Sequence, residues 1–271
     1  MSVTVEEREP ATMTDTALVD VENVGITFQT RKNTVEALRE VDLKVNQGDF
    51  VALVGPSGCG KSTLLRSMAG IIQPTTGTVS LRGEEIEGPR QDVGFVFQRP
   101  ALLPWRDVQR NIMLQAEMRG MDKNQAKARC EELLELTSLT GFKKSLPHEL
   151  SGGMQQRAAL CRALLHSPEI LLMDEPFGAL DALTREHLNS ELQKLWNSTN
   201  MTVVLVTHSV AEAVYLATRV VVMGSRPGHI IEEFDVDLPR ERDYEATMAD
   251  PEFHRVAHGV RELLGGAHGN H

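Results

Sequence analysis

An α/β fold with a mainly parallel core sheet, an N-terminal antiparallel β subdomain and an α-helical subdomain insertion is predicted by three observations. Five short apolar runs, at residues 50–54, 93–97, 170–173, 203–206 and 220–223, have the continuous composition of strands buried on both faces. Helical stretches lie between several of them, as crossover connections of a parallel sheet require. Residues 108–165 have few β-branched runs and read as helical, which places the insertion between two core strands.

Taken in order, residues 1–16 are polar and rich in Thr and Glu, and read as a flexible tail. Residues 18–28 alternate apolar and polar, with Val19, Val21, Ile26 and Phe28 on or near one parity. Residues 35–45 repeat that pattern through Val35, Ala37, Val41, Leu43 and Val45. These two strands form the antiparallel subdomain. The run at 50–54 ends in glycine and leads into a helix over 62–69. In the insertion, Ala126, Cys130, Leu133 and Leu134 fall at i, i+4, i+7 and i+8, one face of a helix that Asp122 is placed to cap. One more strand spans 229–234. Beyond Pro239, the residues Phe253, Val256, Val260, Leu263 and Leu264 mark an amphipathic helix that packs on the core or on a dimer mate. The organisation is a tail (1–16), a main domain (17–234, with the helical subdomain at about 105–165) and a C-terminal helical extension (235–271).

Bulk composition narrows the function. With 271 residues and 41% hydrophobic content, one large domain has ample core. The net charge of −10 disfavours a nucleic-acid binder, and no basic stripe stands out. Cys59, Cys130 and Cys161 are far apart and form neither a metal-type pair nor a disulfide framework. The acidic start lacks the apolar core of a secretory signal. No run is long enough to span a bilayer, so a membrane role has to act through a partner. His254, His258, His268 and His271 are scattered and read as solvated.

The chemistry is concentrated in two stretches. Gly55-Pro56-Ser57-Gly58-Cys59-Gly60-Lys61-Ser62 fits the GxxxxGK[ST] pattern between a buried strand and a helix, and Thr63 continues it. Its glycines let successive N–H groups turn toward phosphate oxygens, and the helix that follows directs its positive end at the same anion. Lys61 adds a cation for the β- and γ-phosphates, and Ser62 offers a hydroxyl to Mg²⁺. Cys59, inside this loop, is expected to be within reach of a thiol reagent. The second stretch, Ile170-Leu171-Leu172-Met173-Asp174-Glu175, delivers two carboxylates to the C-terminal edge of a buried strand. Asp174 suits Mg²⁺ and Glu175 suits an attacking water. An Asp-Glu-Pro turn alone is better explained by an N-cap or turn acid after a strand.

Between these stretches lies Leu150-Ser151-Gly152-Gly153-Met154-Gln155-Gln156-Arg157. The three together resemble the ABC ATPase family, a RecA-like branch of the P-loop NTPases whose diagnostic element is this LSGGQ-type sequence; here Met154 replaces the usual Gln. The resemblance spans roughly residues 18–232 and extends to secondary motifs in order. Phe28 matches an adenine-stacking aromatic, Gln98 the Q-loop glutamine, Ala179-Leu180-Asp181 the D-loop and His208 the switch histidine. Each has a simpler reading: core packing for Phe28, a loop amide for Gln98, a capping residue for His208.

The resemblance implies ATP and Mg²⁺ as ligands, with Gln98 joining Ser62 and Asp174 at the metal. It implies Glu175 as general base, assisted by His208 and Gln98, and Asp181 linking two sites. Ser151, Gly152 and Gly153 would complete the ATP site of the opposite subunit, so a working enzyme needs two chains, identical or similar. The stretches 97–108, 177–185 and 225–228 are similar to the nitrate/sulfonate/taurine importer group. That implies integral-membrane permease subunits and a periplasmic or lipid-anchored substrate-binding protein as partners, and a peripheral place on the cytoplasmic face of the inner membrane. The competing expectation is a non-transport regulatory or nucleic-acid-linked ATPase. Leu102, Leu103 and Trp105 read equally as a groove for a permease helix or as core. Ser209 departs from the group, which has an acidic residue there, and leaves the capping of the next helix open.

Overall fold

The computed structural model describes residues 17–29, 33–178, 180–199 and 201–266. The tail 1–16, Ala179, His268 and His271 lie outside them. With elements numbered in chain order, an antiparallel sheet holds β1 (Val19–Gln29), β2 (Thr34–Val45), β4 (Thr76–Leu81) and β5 (Glu84–Glu85) in the order β2-β1-β4-β5. The core sheet holds β3 (Phe50–Val54), β6 (Val93–Val96), β7 (Ile170–Asp174), β8 (Thr202–Val206), β9 (Arg219–Gly224) and β10 (His229–Asp235). Its order is β10-β9-β3-β8-β7-β6, parallel except for β10.

The apolar runs are continuous because the sheet is covered on both faces. Along β3, Phe50, Ala52 and Val54 enter one core, while Val51 and Leu53 enter the other. The first core is shared with the helices α2 (Val108–Arg119), α3 (Lys123–Leu136), α4 (Gly152–Leu164), α5 (Ala182–Thr199) and α6 (Val210–Leu216). The second lies against the antiparallel sheet and α1 (Lys61–Met68). The antiparallel subdomain therefore has two strands more than the sequence pattern indicated. In β4 only Val79 and Leu81 are buried, too short an alternation to register as a strand.

The helical insertion is built from α2, α3 and α4. Asp122 does cap α3: its Oδ1 accepts from the N–H of Asn124 at 3.0 Å and of Gln125 at 2.9 Å. After β10 come α7 (Tyr244–Ala249) and α8 (Pro251–Gly266). Of the two packing options for the C-terminal helix, the chain adopts its own core. Phe253, Val256, Ala257 and Val260 are buried there, and burying each large apolar side chain is worth about 1.5–3 kcal/mol. Arg242 fastens this extension. Its buried guanidinium donates to the carbonyls of Tyr215 (2.6 Å), Ala217 (3.0 Å) and Val214 (3.2 Å), at the end of α6. A helix C-terminus leaves such carbonyls unpaired and favours a cation. Burial lowers the Arg242 pKa to about 10. His254 and His258 are exposed on α8.

Candidate nucleotide site

Parallel pairing places the ends of β3, β7 and β8 on one edge of the sheet, and the chemistry gathers there. A cavity of 670 Å³ is lined by Ser57, Gly58, Gly60, Lys61, Ser62 and Thr63 of the loop and start of α1, with Gln98, Glu175 and His208 opposite. Val35, Glu36, Ala37 and Arg226 close its flank. The loop curls through glycines where a side chain is unfavourable: Gly60 has φ 97° and is the N-cap of α1, and a Cβ there would lie 2.5 Å from Leu38 Cδ2. Gly55, Pro56 and Cys59 form the back of the loop. The Lys61 ammonium, nearly buried, donates to the carbonyls of Gly55 at 2.8 Å and Pro56 at 2.9 Å.

Cys59 corrects an expectation. Its side chain is fully buried in the second core, and Gly228 is packed so closely over its carbonyl that a Cβ there would lie 2.0 Å away. The thiol faces inward, 3.7 Å from the Lys61 ammonium, and Cys59 is absent from the cavity lining that Ser57, Lys61, Ser62 and Thr63 supply. Cys130 and Cys161 are buried too, and burial pushes their thiols up to about 11 and about 12. A maleimide or disulfide reagent at neutral pH is therefore expected to label the native chain slowly at all three positions and promptly after denaturation. Fast labelling of Cys59 in the native chain would show that the loop is open.

The acidic strand end is arranged with its partners. Asp174 is buried; its Oδ1 accepts from the Ser62 hydroxyl at 2.6 Å, and its Oδ2 lies 3.3 Å from Arg66 Nη2. A hydroxyl and a carboxylate side by side form the hard-oxygen donor set that Mg²⁺ takes from protein when phosphate oxygens and waters complete its shell, so the pair fits that ion. Glu175 stands at φ 48°, in the left-handed region, which costs a non-glycine residue about 1–2 kcal/mol. Its N–H donates to Val206 O at 2.9 Å, which holds it there. Its carboxylate is gripped from two sides: Oε1 lies 2.6 Å from His208 Nε2, and Oε2 accepts from Gln98 Nε2 at 2.9 Å. Gln98 and His208 are thus side-chain partners of Glu175, and His208 caps no helix. Ser209 caps α6 instead, accepting from the N–H of Glu212 at 3.2 Å. The serine at this position does the capping expected of an acid, a contribution of about 1 kcal/mol.

Other predicted residues stand apart from this cavity. Ser151 is exposed and caps α4, accepting from Met154 N at 3.3 Å. Gly152 is open, while Gly153 backs onto Leu180 Cδ2, 3.0 Å from where its Cβ would be. Asp181 is exposed and accepts from Thr184 N at 3.0 Å, which holds its carboxyl below the usual range. Phe28 is 40% exposed, opposite Val35 across the β1–β2 pair, so the core reading of this aromatic does not hold. Leu102 and Leu103 are half-buried, whereas Trp105 is 72% exposed, so that cluster divides between core and surface. Sequence reasoning missed Arg66, beside Asp174, and Arg226, on the cavity flank. A basic residue one helical turn beyond Ser62 was the available signal for Arg66.

Comparison with known proteins points to one family. A family profile described as ABC transporter matches residues 38–178. An uncharacterized ABC transporter ATP-binding protein of Methanocaldococcus jannaschii is 49% identical over 223 residues, 82% of this chain and 84% of that protein. The taurine import ATP-binding protein TauB of Jannaschia sp. is 42% identical over 249 residues, 90% of this chain and 92% of its own length. Among solved structures, a dimeric ATP-binding cassette in a post-hydrolysis state, bound to ADP and Pi, superimposes with a TM-score of 0.73 at 32% identity. It covers 83% of this chain and 99% of that one.

Proposed function

Because the chain belongs to the ABC transporter family and is an ATP-hydrolysing cassette, we propose that it powers import of a small anion through separate membrane permease subunits. Nitrate, a sulfonate or taurine is the substrate class, a reading supported by similarity to relatives described as taurine import ATP-binding proteins. The observation that carries the catalytic assignment is the His208–Glu175–Gln98 row on the wall of the cavity that Lys61 and Ser62 line.

Within that site the backbone of 57–63 and Lys61 hold the phosphates, and Phe28 stacks on adenine. Ser62, Asp174 and Gln98 would hold Mg²⁺, which would supply positive charge to offset that developing on the transferred phosphoryl group. Glu175 accepts the proton of the attacking water; the hydrogen bonds of its two oxygens fix where that proton goes. His208 contacts the γ-phosphate and steadies the base. Ser151, Gly152 and Gly153, absent from the lining of this cavity, complete the site of a second copy or a similar subunit, with Asp181 joining the two sites. The dimeric form of the solved relative supports such a pairing.

Among the described residues no helix is long and apolar enough to cross a membrane. In this reading the permease supplies the membrane attachment, at the cytoplasmic face of the inner membrane, and a substrate-binding protein acts through it. The deciding experiment is co-purification with the permease, with ATPase measured with and without the substrate-loaded binding protein. Stable association and stimulation are expected. Stimulation by nucleic acid with no permease association would replace transport with the regulatory reading.

A further inference from the structure

Beside the nucleotide cavity lies a second one of 480 Å³, which shares Gln98, Glu175 and His208 with it and adds Phe177, Gly178, Arg185, Thr207, Ser209 and Glu212. Two of these side chains take no part in the roles above. Glu212, on α6, is buried. Its Oε2 accepts from the Thr207 hydroxyl, while Oε1 has no hydrogen-bond partner of normal geometry among the described residues. Burial raises its proton affinity; the Thr207 hydroxyl, the charge of Arg185 and the Asn189 amide pull it back. Arg185 and Asn189 stand four apart on α5 and act on the same carboxyl. Arg185 Nη2 donates to Leu180 O at 2.9 Å, and its Nε is buried without a partner among the described residues. An unpaired guanidinium N–H and an unpaired carboxylate oxygen in one buried region are costly to leave apart.

Both flanks of His208 depend on Glu212. Thr207, just before it, gives its hydroxyl to the Glu212 carboxylate, and the N–H of Ser209, just after it, donates to Thr207 Oγ1 at 3.0 Å. On the other side, Arg185 is tied to Leu180, whose side chain is what Gly153 packs against. A path therefore runs from the start of α4 through Leu180 to Arg185, across the second cavity by charge to Glu212, and on through Thr207 to His208 and Glu175.

We propose that Arg185 and Glu212 are positioning residues that set the His208 loop, and through it the Glu175 carboxylate, according to where the Leu180–Asp181 segment lies. Neither lines the phosphate cavity, so they act on turnover and not on nucleotide capture. The proposal rests on the catalytic reading of Glu175 and His208 above.

The test uses the full chain with Arg185→Met, Arg185→Lys, Glu212→Gln and the Arg185→Met/Glu212→Gln double variant. Each of Arg185→Met and Glu212→Gln is expected to lower kcat about 10-fold with KM for ATP within about twofold. The double variant is expected to be no slower than the slower single, as for residues acting as a unit. Arg185→Lys, which keeps the charge, is expected to recover activity above Arg185→Met. Three results overturn the proposal: both singles within about twofold of the parent kcat, losses that multiply in the double variant, or a lysine no better than methionine. A purely structural role would lower the melting temperature without the lysine rescue. ATP-dependent dimerisation of Glu175→Gln is measured alongside. Its failure would overturn the two-chain site instead, and the kcat and KM pattern would still decide the role of Arg185 and Glu212.

Discussion

Glu175→Gln is expected to bind ATP with nearly unchanged affinity, to dimerise in its presence, and to lose about 10²–10⁴-fold in turnover, the range typical of a removed general base. The geometry explains why binding should survive. The carboxylate takes hydrogen bonds from His208 at one oxygen and Gln98 at the other. A glutamine can turn its oxygen to the Gln98 NH₂ and its own NH₂ to His208 Nε2, which accepts when the ring proton is on Nδ1, so Gln98 keeps its orientation. The shape and the hydrogen-bond count are preserved, and only the basicity is lost. The left-handed backbone at this residue is unaffected by the exchange, so the fold should hold as well. Nucleotide binding, ATP-dependent dimer formation and steady-state hydrolysis are measured on the same preparation. Near-normal turnover would remove Glu175 from the role of base.

Lys61→Met is expected to weaken ATP binding by about 100-fold or more, as two lost charge-assisted hydrogen bonds of about 1.5–3 kcal/mol each would do. Lys61 already makes two such bonds, to the Gly55 and Pro56 carbonyls, which hold the ammonium at the inner face of the loop. Methionine keeps the buried stem filled and removes only the charge. The readout is the rise in melting temperature with ATP, since a ligand that binds only the folded chain stabilises it in proportion to the logarithm of concentration over Kd. The parent chain should show that rise at millimolar ATP and the variant should not. A preserved ATP-induced shift would mean that Lys61 does not reach the phosphates. Because the two carbonyls lose their donor as well, a small drop in the nucleotide-free melting temperature is expected alongside.

Much of the fold was legible because its signals are local. A strand buried on both faces must be apolar throughout, and 50–54 and 203–206 are. Asp122 before a 3.6-residue apolar period has one good use, and the structure puts it there. The two short strands β4 and β5 were not legible, because β5 has two exposed glutamates and no apolar residue to mark it. Cys59 was misjudged for a related reason. Its neighbours imply a loop open to phosphate, yet the backbone faces the ligand and the side chain falls on the opposite side, into the core. Ser209 illustrates the reverse case, a departure from the expected residue type that the local hydrogen bond absorbs without loss.

By itself the sequence determined the phosphate loop, the two carboxylates at the end of a buried strand, and the order of motifs that marks the family. Each depends on backbone freedom, apolar period or spacing within a few residues. Only the tertiary structure decided that Gln98, Glu175 and His208 meet, that the C-terminal helix covers its own core, and that Arg185 and Glu212 border the same cavity. Gln98 and Glu175 are separated by 77 residues and come together because β6 and β7 pair in one parallel register. That register is set by the packing of whole sheet faces against helices, and no local pattern of residues encodes it.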